Sequence, residues 1–216
     1  KRNYWVANYM NNHDQPRSIS RFGNDRQYRV ESAKAFALMN LTLRGTPLVY
    51  QGEEIGMTNC HLEQDEWRDY EAINIYGTLQ TMMHLPKFIA KKVVQRMTRD
   101  HARTPVQWDD SDYAGFSDHQ PWIKVNPNYK QINLKSDLVS ETSINHWYKQ
   151  AIALRKAYSA FNTGAMTPVL VHHKQILAYQ RSDEQAEFLI LINLSGSPAR
   201  FDLKTEGRIL LDSYTD

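Results

Sequence analysis

The chain has 216 residues, of which 41% are hydrophobic and 23% charged, and its formal net charge at pH 7 is +2. This composition is ordinary for a folded protein and excludes collagen-like, low-complexity and disordered classes. The small net charge gives no reason to expect a nucleic-acid or membrane partner, and no apolar run approaches the ~20 residues of a membrane helix. A single cysteine, Cys60, cannot form an intrachain disulfide, which favours a reducing compartment such as the cytoplasm, or at least does not require an oxidising one.

The first quarter of the chain predicts a strand, a helix and a second strand. Residues 5–10 form a short β-prone run, apolar residues recur at helical spacing over 25–43, and residues 48–50 form an apolar run typical of a strand buried on both faces. Such a unit closes as a right-handed parallel crossover. The loops that follow the two strands, at 12–14 and 51–54, are therefore expected on one face, where parallel sheets bind ligands.

The remaining sequence predicts binding loops and a small β-sheet. Residues 58–145 are rich in aromatic and polar residues, which is typical of binding loops, and they include predicted helices over 73–83 and 86–98. Another helix is predicted over 144–158 from its apolar stripe. Turn signals then separate five short runs that predict an antiparallel sheet: 169–171, 176–181, 187–194, 199–203 and 208–212.

The strongest local chemical signal is a histidine beside an aspartate, His13 and Asp14, directly after the first predicted strand. From spacing alone the simpler interpretation is that Asp14 caps a turn and His13 is an ordinary loop histidine. The pair of histidines at 172–173 has no Cys, Asp or Glu at ligand spacing, so a solvated pair is favoured over zinc.

Six motifs together change this interpretation, because they resemble the α-amylase family of glycoside hydrolases in type and in order. Within that family they are most similar to the oligo-1,6-glucosidase and dextran glucosidase branch, over essentially the whole chain. The motifs are NHDQPR at 12–17, SRFGND at 20–25, GTP at 45–47, YQGEEIGMTN at 50–59, RTPVQW at 103–108 and PWIKVNPNY at 121–129.

The resemblance implies an α/β plus all-β fold. Residues 1–165 would be the C-terminal part of a (β/α)8 barrel, strands 7 and 8 with their helices, and residues 166–216 a truncated antiparallel β-sandwich domain. The family's nucleophilic Asp and acid/base Glu lie on earlier strands, and their motifs are absent, so the chain alone is expected to be inactive. No cofactor is implied, since any structural calcium would belong to the missing N-terminal part. Unpaired barrel edges predict pairing with that part, or self-association.

The resemblance also implies roles for individual residues. Asp14 would be the third catalytic carboxylate, which binds the 2-OH and 3-OH of the glucose at the cleavage point and stabilises the transition state. His13 would donate to the neighbouring hydroxyl, and Arg103 would hold the far edge of the same glucose and could also pair with Asp14. Glu71 matches an acceptor-sugar position, although it could equally serve the first turn of a helix. Glu53 is expected to be scaffolding.

Other arginines are assigned structural roles. Arg17 is expected to be an ion-pair anchor near the rim of the barrel. Arg99 ends a basic stretch that begins after Pro86 and is interpreted as part of a solvated helix face.

The predicted function is that of a retaining, exo-acting α-glucosidase for short α-1,6-linked gluco-oligosaccharides. Within the family, trehalose-6-phosphate hydrolase and α-1,4-glucosidase remain alternatives. A non-catalytic relative, like the accessory subunits of amino-acid transporters, is an alternative of another class. The intact motif around Asp14 argues against it.

Overall fold

A computed structural model describes residues 5–202 and 206–214 of the chain. The helices and strands are β1 (Ala7–Tyr9), α1 (Ser18–Phe22), α2 (Arg29–Thr42), β2 (Thr46–Leu48), α3 (Tyr70–Thr81), α4 (Lys87–Met97), α5 (Asp100–Arg103), α6 (Leu134–Leu138), α7 (Ile144–Ala157), α8 (Ser159–Asn162), β3 (Ala165–Val169), β4 (Ile176–Ser182) and β5 (Glu187–Asn193).

The predicted parallel strand pair is present, with its second strand two residues earlier than expected. β1 and β2 are parallel, and Ala7 lies opposite Thr46. Gly45 sets this register with a φ of 135°: a Cβ there would lie 2.5 Å from the carbonyl oxygen of Val6, which accepts the Thr46 N–H at 2.8 Å. The expectation of burial on both faces is wrong, since Leu48 is 51% exposed. Within the described residues β2 pairs only with β1, so no further strand covers it.

Two helices begin away from their predicted starts, in each case because of a side chain. α2 begins four residues later than predicted, because the Asn24 side-chain Oδ1 accepts the N–H groups of Arg26 at 3.0 Å and Tyr28 at 3.3 Å and holds a turn there. α3 begins three residues earlier, because the Asp69 carboxylate caps it by accepting the Glu71 N–H at 3.1 Å.

The main core lies between α2 and α7, the two longest helices. The helical spacing of the apolar residues places one face of each helix against the other. Trp147 fills the centre, and its indole N–H donates to the Lys34 carbonyl oxygen at 3.1 Å. The buried side chains of this core are Ile19, Ala33, Phe36, Ala37, Leu41, Ile144, Trp147, Tyr148 and Ala151.

The C-terminal region forms a three-stranded antiparallel sheet in the order β3-β4-β5. The sheet packs on α2 through a second core that includes Phe161, Tyr179 and Ile190. The predicted strands at 199–203 and 208–212 are wrong for the described residues 199–202 and 208–212. One reason is that Leu211 packs against the α2–α7 core instead of alternating along a strand. Leu203 lies outside the described residues.

Cys60 is buried and unpaired, and burial raises the pKa of its thiol to about 11. It is therefore an unreactive packing residue. No helix within residues 5–202 and 206–214 is long and apolar enough to cross a lipid bilayer. In the same part of the chain, no cluster of three or more His, Cys, Asp or Glu side chains could hold a metal ion.

Candidate functional site

The loop that follows β1 presents Asp14 to solvent. The Asn12 side chain makes the turn, because its Oδ1 accepts the Asp14 N–H at 2.9 Å. The interpretation of Asp14 as the turn cap is therefore wrong. Its carboxylate is 51% exposed and free to contact groups outside the loop.

Asp14 lies at the centre of a polar cluster assembled from two distant segments. The Arg103 Nη2 donates to Asp14 Oδ1 at 3.2 Å, and the Arg103 Nε donates to the His13 carbonyl oxygen at 3.0 Å. The His13 Nε2 lies 3.2 Å from Asp14 Oδ2. Asp14, His13 and Arg103 are thus brought together as the motifs predicted, and the predicted pairing of Arg103 with Asp14 is present. One arginine fixes both the backbone and the carboxylate of the loop.

Arg17 joins this cluster to the loop that follows β2. Its guanidinium donates to the carbonyl oxygens of Gln51 at 2.6 Å, Ala102 at 3.1 Å and His101 at 3.3 Å. The two loops therefore lie on one face, as predicted. The expectation that Arg17 forms ion pairs at the rim is wrong: the residue is 1% exposed, and its burial lowers the pKa of the guanidinium to about 10. Its hydrogen bonds fix α5, and with it Arg103.

The acidic pair after β2 serves its own loop. The Glu53 Oε2 accepts the Tyr50 N–H at 3.2 Å, and the Glu54 Oε2 accepts the Gly52 N–H at 2.8 Å. Burial raises the pKa of Glu53 to about 8. Both carboxylates bind backbone, which is the scaffolding role expected for Glu53.

Glu71 and Asp14 line the same open cleft, whose volume is about 260 Å³. Glu71 lies in the first turn of α3, as one of its two interpretations predicted, and its side chain is 65% exposed. The acceptor-sugar role stays a prediction. The Glu71 Oε2 lies 3.5 Å from the Arg99 Nη1. The acidic groups of the cleft are thus close to a cation that the sequence did not point to.

Arg99 and Asp69 are the residues of this site that sequence reasoning missed. Arg99 is not part of a solvated helix face. Its Nε donates to Asp69 Oδ1 at 2.9 Å, its backbone N–H donates to Asp69 Oδ2 at 2.9 Å, and its Nη2 also contacts Oδ1. The two residues are 30 positions apart, so no local pattern reveals the pair. In the sequence, the only sign of a role for Asp69 is its position directly before α3, where an aspartate can cap the helix.

The ionised form of Asp69 is favoured although the side chain is 2% exposed. Burial alone would raise the pKa of this carboxyl, but the hydrogen bonds from Arg99 outweigh burial and lower it. Asp69 in turn raises the pKa of Arg99. The pair is thus fully charged at the edge of the cleft.

The sequence model of the α-amylase catalytic domain matches residues 1–164. The chain belongs to the α-amylase family. The oligo-1,6-glucosidase of Bacillus cereus is 43% identical over 219 residues, which cover 97% of this chain and 39% of that protein. The trehalose-6-phosphate hydrolase of Escherichia coli is 38% identical over 196 residues, covering 88% of this chain and 35% of that protein.

Solved structures of the α-amylase family agree with the fold. The crystal structure of Bacillus licheniformis trehalose-6-phosphate hydrolase superposes with a TM-score of 0.90 at 36% identity, covering 98% of this chain and 40% of that one. A trehalulose synthase superposes with a TM-score of 0.86 at 36% identity, covering 90% of this chain and 36% of that one. The chain spans about two fifths of the length of these relatives.

Proposed function

We propose that the chain is the C-terminal part of a retaining, exo-acting α-glucosidase that releases terminal α-1,6-linked glucose from short gluco-oligosaccharides in the cytoplasm. The observation that carries this proposal is the arrangement of Asp14, His13 and Arg103 on one loop face. The similarity to oligo-1,6-glucosidases supports the choice of linkage.

In this proposal Asp14 binds the 2-OH and 3-OH of the glucose at the cleavage point. A retaining glycosidase passes through an oxocarbenium-like transition state, and hydrogen bonds to the 2-OH that strengthen there contribute several kcal/mol. A fixed carboxylate also stabilises the positive charge that develops on the sugar. His13 and Arg103 carry donors that suit the neighbouring hydroxyls of the same ring. Glu71, which lines the same cleft, suits the acceptor sugar.

The nucleophile and the acid/base are assigned to the N-terminal part of the intact enzyme. In the same proposal β1 and β2 are strands 7 and 8 of a (β/α)8 barrel, and residues 166–216 begin a β-sandwich domain. The end of the family match at residue 164 is compatible with that boundary. The exposed Leu48 and Trp5 suit contact with further barrel strands, so the isolated chain is expected to bind the N-terminal part or to self-associate.

The chain alone should hydrolyse aryl α-glucosides at the background rate. A retaining mechanism requires a nucleophile and an acid about 5 Å apart, and both are assigned elsewhere. The measurement is release of nitrophenol by the purified chain, with the intact enzyme as the positive control. Turnover that a glucosidase inhibitor abolishes would contradict this division of the active site.

The second candidate is trehalose-6-phosphate hydrolase, favoured by the TM-score of 0.90 and 36% identity to that enzyme. The experiment that separates the candidates is the kcat/KM of the intact enzyme on isomaltose, maltose and trehalose 6-phosphate. The proposal predicts that isomaltose is the best of the three substrates. A preference for maltose or trehalose 6-phosphate would overturn the α-1,6 assignment, and hydrolysis of none of them would favour a non-catalytic relative.

A further inference from the structure

The cleft contains an arginine whose geometry the proposed chemistry does not yet use. Arg99 is the only described residue that contacts all three carboxylates of the cleft wall: Asp14, Asp69 and Glu71. Its Nη1 lies 3.7 Å from Asp14 Oδ1 and 3.5 Å from Glu71 Oε2. One nitrogen thus faces the two exposed carboxylates, and the rest of the side chain binds the buried one.

Arg99 is held more firmly than an exposed arginine. Asp69 accepts from its backbone N–H and from its side chain, so both ends of the residue are fixed by one carboxylate. Asp69 is itself fixed, because its N–H donates to Asp100 Oδ2 at 3.0 Å and its carboxylate caps α3. A guanidinium held by a rigid partner loses little further conformational entropy when it forms another contact.

We propose that Arg99 is a positioning residue for the carboxylate of Asp14. Arg103 and Arg99 approach the same oxygen of Asp14, Oδ1, at 3.2 and 3.7 Å. His13 contacts the other oxygen, Oδ2. Two cations on one oxygen restrict the rotation of a side chain that is otherwise 51% exposed. Asp69 holds Arg99 at the α3 end of the cleft, and Arg99 in turn holds the carboxylate of Asp14.

This inference rests on the proposed role of Asp14, and it predicts how the loss of Arg99 would appear in kinetics. A misplacement of about 1 Å in a catalytic group costs on the order of 100-fold in rate. In the intact enzyme, Arg99→Gln should therefore lower kcat for an aryl α-glucoside by roughly 10- to 100-fold. The KM should change by less than about threefold, because the contacts of Asp14 strengthen mainly in the transition state.

The chain supplies a matched control. Lys92 lies on the exposed side of α4, outside the lining of the cleft, and forms no ion pair within the described residues. Lys92→Gln removes one positive charge from the neighbouring helix, and it should leave kcat within about twofold of the unmodified enzyme if position rather than net charge matters. An equal loss from both substitutions would overturn the proposal in favour of a general electrostatic effect.

A double-mutant cycle separates positioning from a structural role. Asp14→Asn alone should lower kcat by several orders of magnitude, and adding Arg99→Gln should then cost less than about twofold, because Arg99 acts through the carboxylate that is gone. If Arg99→Gln costs the same factor in both backgrounds, Arg99 does not position Asp14. If Asp14→Asn itself has a small effect, the proposed function fails instead.

Arg99→Lys keeps the proposal testable if Arg99→Gln does not fold. Lysine retains a cation for the buried Asp69, but it cannot bind Asp69 with a fork and face Asp14 at the same time. An Arg99→Lys enzyme that is folded, as verified by its thermal midpoint, should still lose roughly tenfold in kcat. In the Asp14→Asn background, the same substitution should cost less than about twofold in kcat. Full activity of this variant would overturn the proposal.

Discussion

Two groups of arginines bind different partners in this molecule. In the core, Arg155 donates to the carbonyl oxygens of Leu41 at 2.6 Å, Gly45 at 2.7 Å and Phe161 at 2.9 Å. In the cleft, the side chains of Arg99 and Arg103 are 27% and 26% exposed, and both bind carboxylates. The core arginine stabilises the chain, whereas the cleft arginines fix groups that a ligand can reach.

Two core arginines, Arg155 and Arg181, supply hydrogen-bond donors to the carbonyl groups at the C-terminal end of α2. The last carbonyl groups of a helix have no partners within it, and burial makes unpaired carbonyls costly. Arg155 donates to the carbonyl oxygen of Leu41, and Arg181 donates to that of Thr42 at 2.5 Å. Arg181 is fully buried and also donates to the carbonyl of Gly164 at 3.1 Å. Arg181 therefore joins the end of α2 to the C-terminal sheet, and Arg155 joins it to α7.

The largest expected effect on stability comes from Arg155. Arg155→Met keeps most of the side-chain volume but leaves three buried carbonyls without a donor, at a total cost of about 3 kcal/mol or more. The thermal midpoint of the intact enzyme should fall by about 2–3 °C or more, while kcat at low temperature stays near normal. A midpoint within about 1 °C of the unmodified enzyme would contradict the role of Arg155 as a brace.

Arg103→Ala should show the opposite pattern. Its ion pair with the half-exposed Asp14 contributes little to folding, so the thermal midpoint should change by less than about 1 °C. Steady-state kinetics should show a fall in kcat/KM of about 100-fold, through both a higher KM and a lower kcat, because in the proposed function Arg103 binds the terminal glucose before bond cleavage begins. A large fall in thermal midpoint with normal kcat/KM would show that Arg103, like the core arginines, stabilises the fold and does not bind substrate.

A change in stability that depends on pH is expected from Glu53, which lies between the two regions. Burial raises its pKa from the ordinary 4.5 to about 8, so the folded state holds a proton that the unfolded state releases. The stabilisation that this proton gives is complete below pH 4.5 and is lost progressively as the pH rises to about 8. Glu53→Gln cannot ionise, so the difference in its thermal midpoint from the unmodified enzyme should grow in its favour across that range. A constant difference would show that Glu53 is ionised in the folded state.

Sequence periodicity predicted the elements whose partners lie within the described residues. α2 and α7 were found because each buries one stripe against the other, and the parallel pairing of β1 with β2 follows from the crossover between them. Strand positions were less accurate, since apolar character marked residues 48–50 as buried while the Gly45 turn set the register. The strands expected at 199–203 and 208–212 are absent from the described residues 199–202 and 208–212, where no neighbouring strand pairs with them.

The candidate site was predictable only where a motif carried it. Asp14, His13 and Arg103 were identified by their motifs, and the structure brings them together across 89 positions. Asp69 and Arg99 carried no such motif in the sequence analysis, and charge pattern assigned Arg99 to a solvent-facing surface. Ion pairs between distant loops depend on the path of the chain, which local composition does not contain. The unexpected contacts are therefore the long-range ones.

The most direct test of the account is the kcat of Asp14→Asn in the intact enzyme. The amide keeps the size of the side chain but removes the charge that Arg103 and Arg99 hold, and with it the proposed stabilisation of the transition state. The account predicts a fall in kcat of about 1,000-fold or more with a much smaller change in KM. A kcat within about tenfold of the unmodified enzyme, a loss under ~1.4 kcal/mol, would contradict the assignment of Asp14 as the stabilising carboxylate.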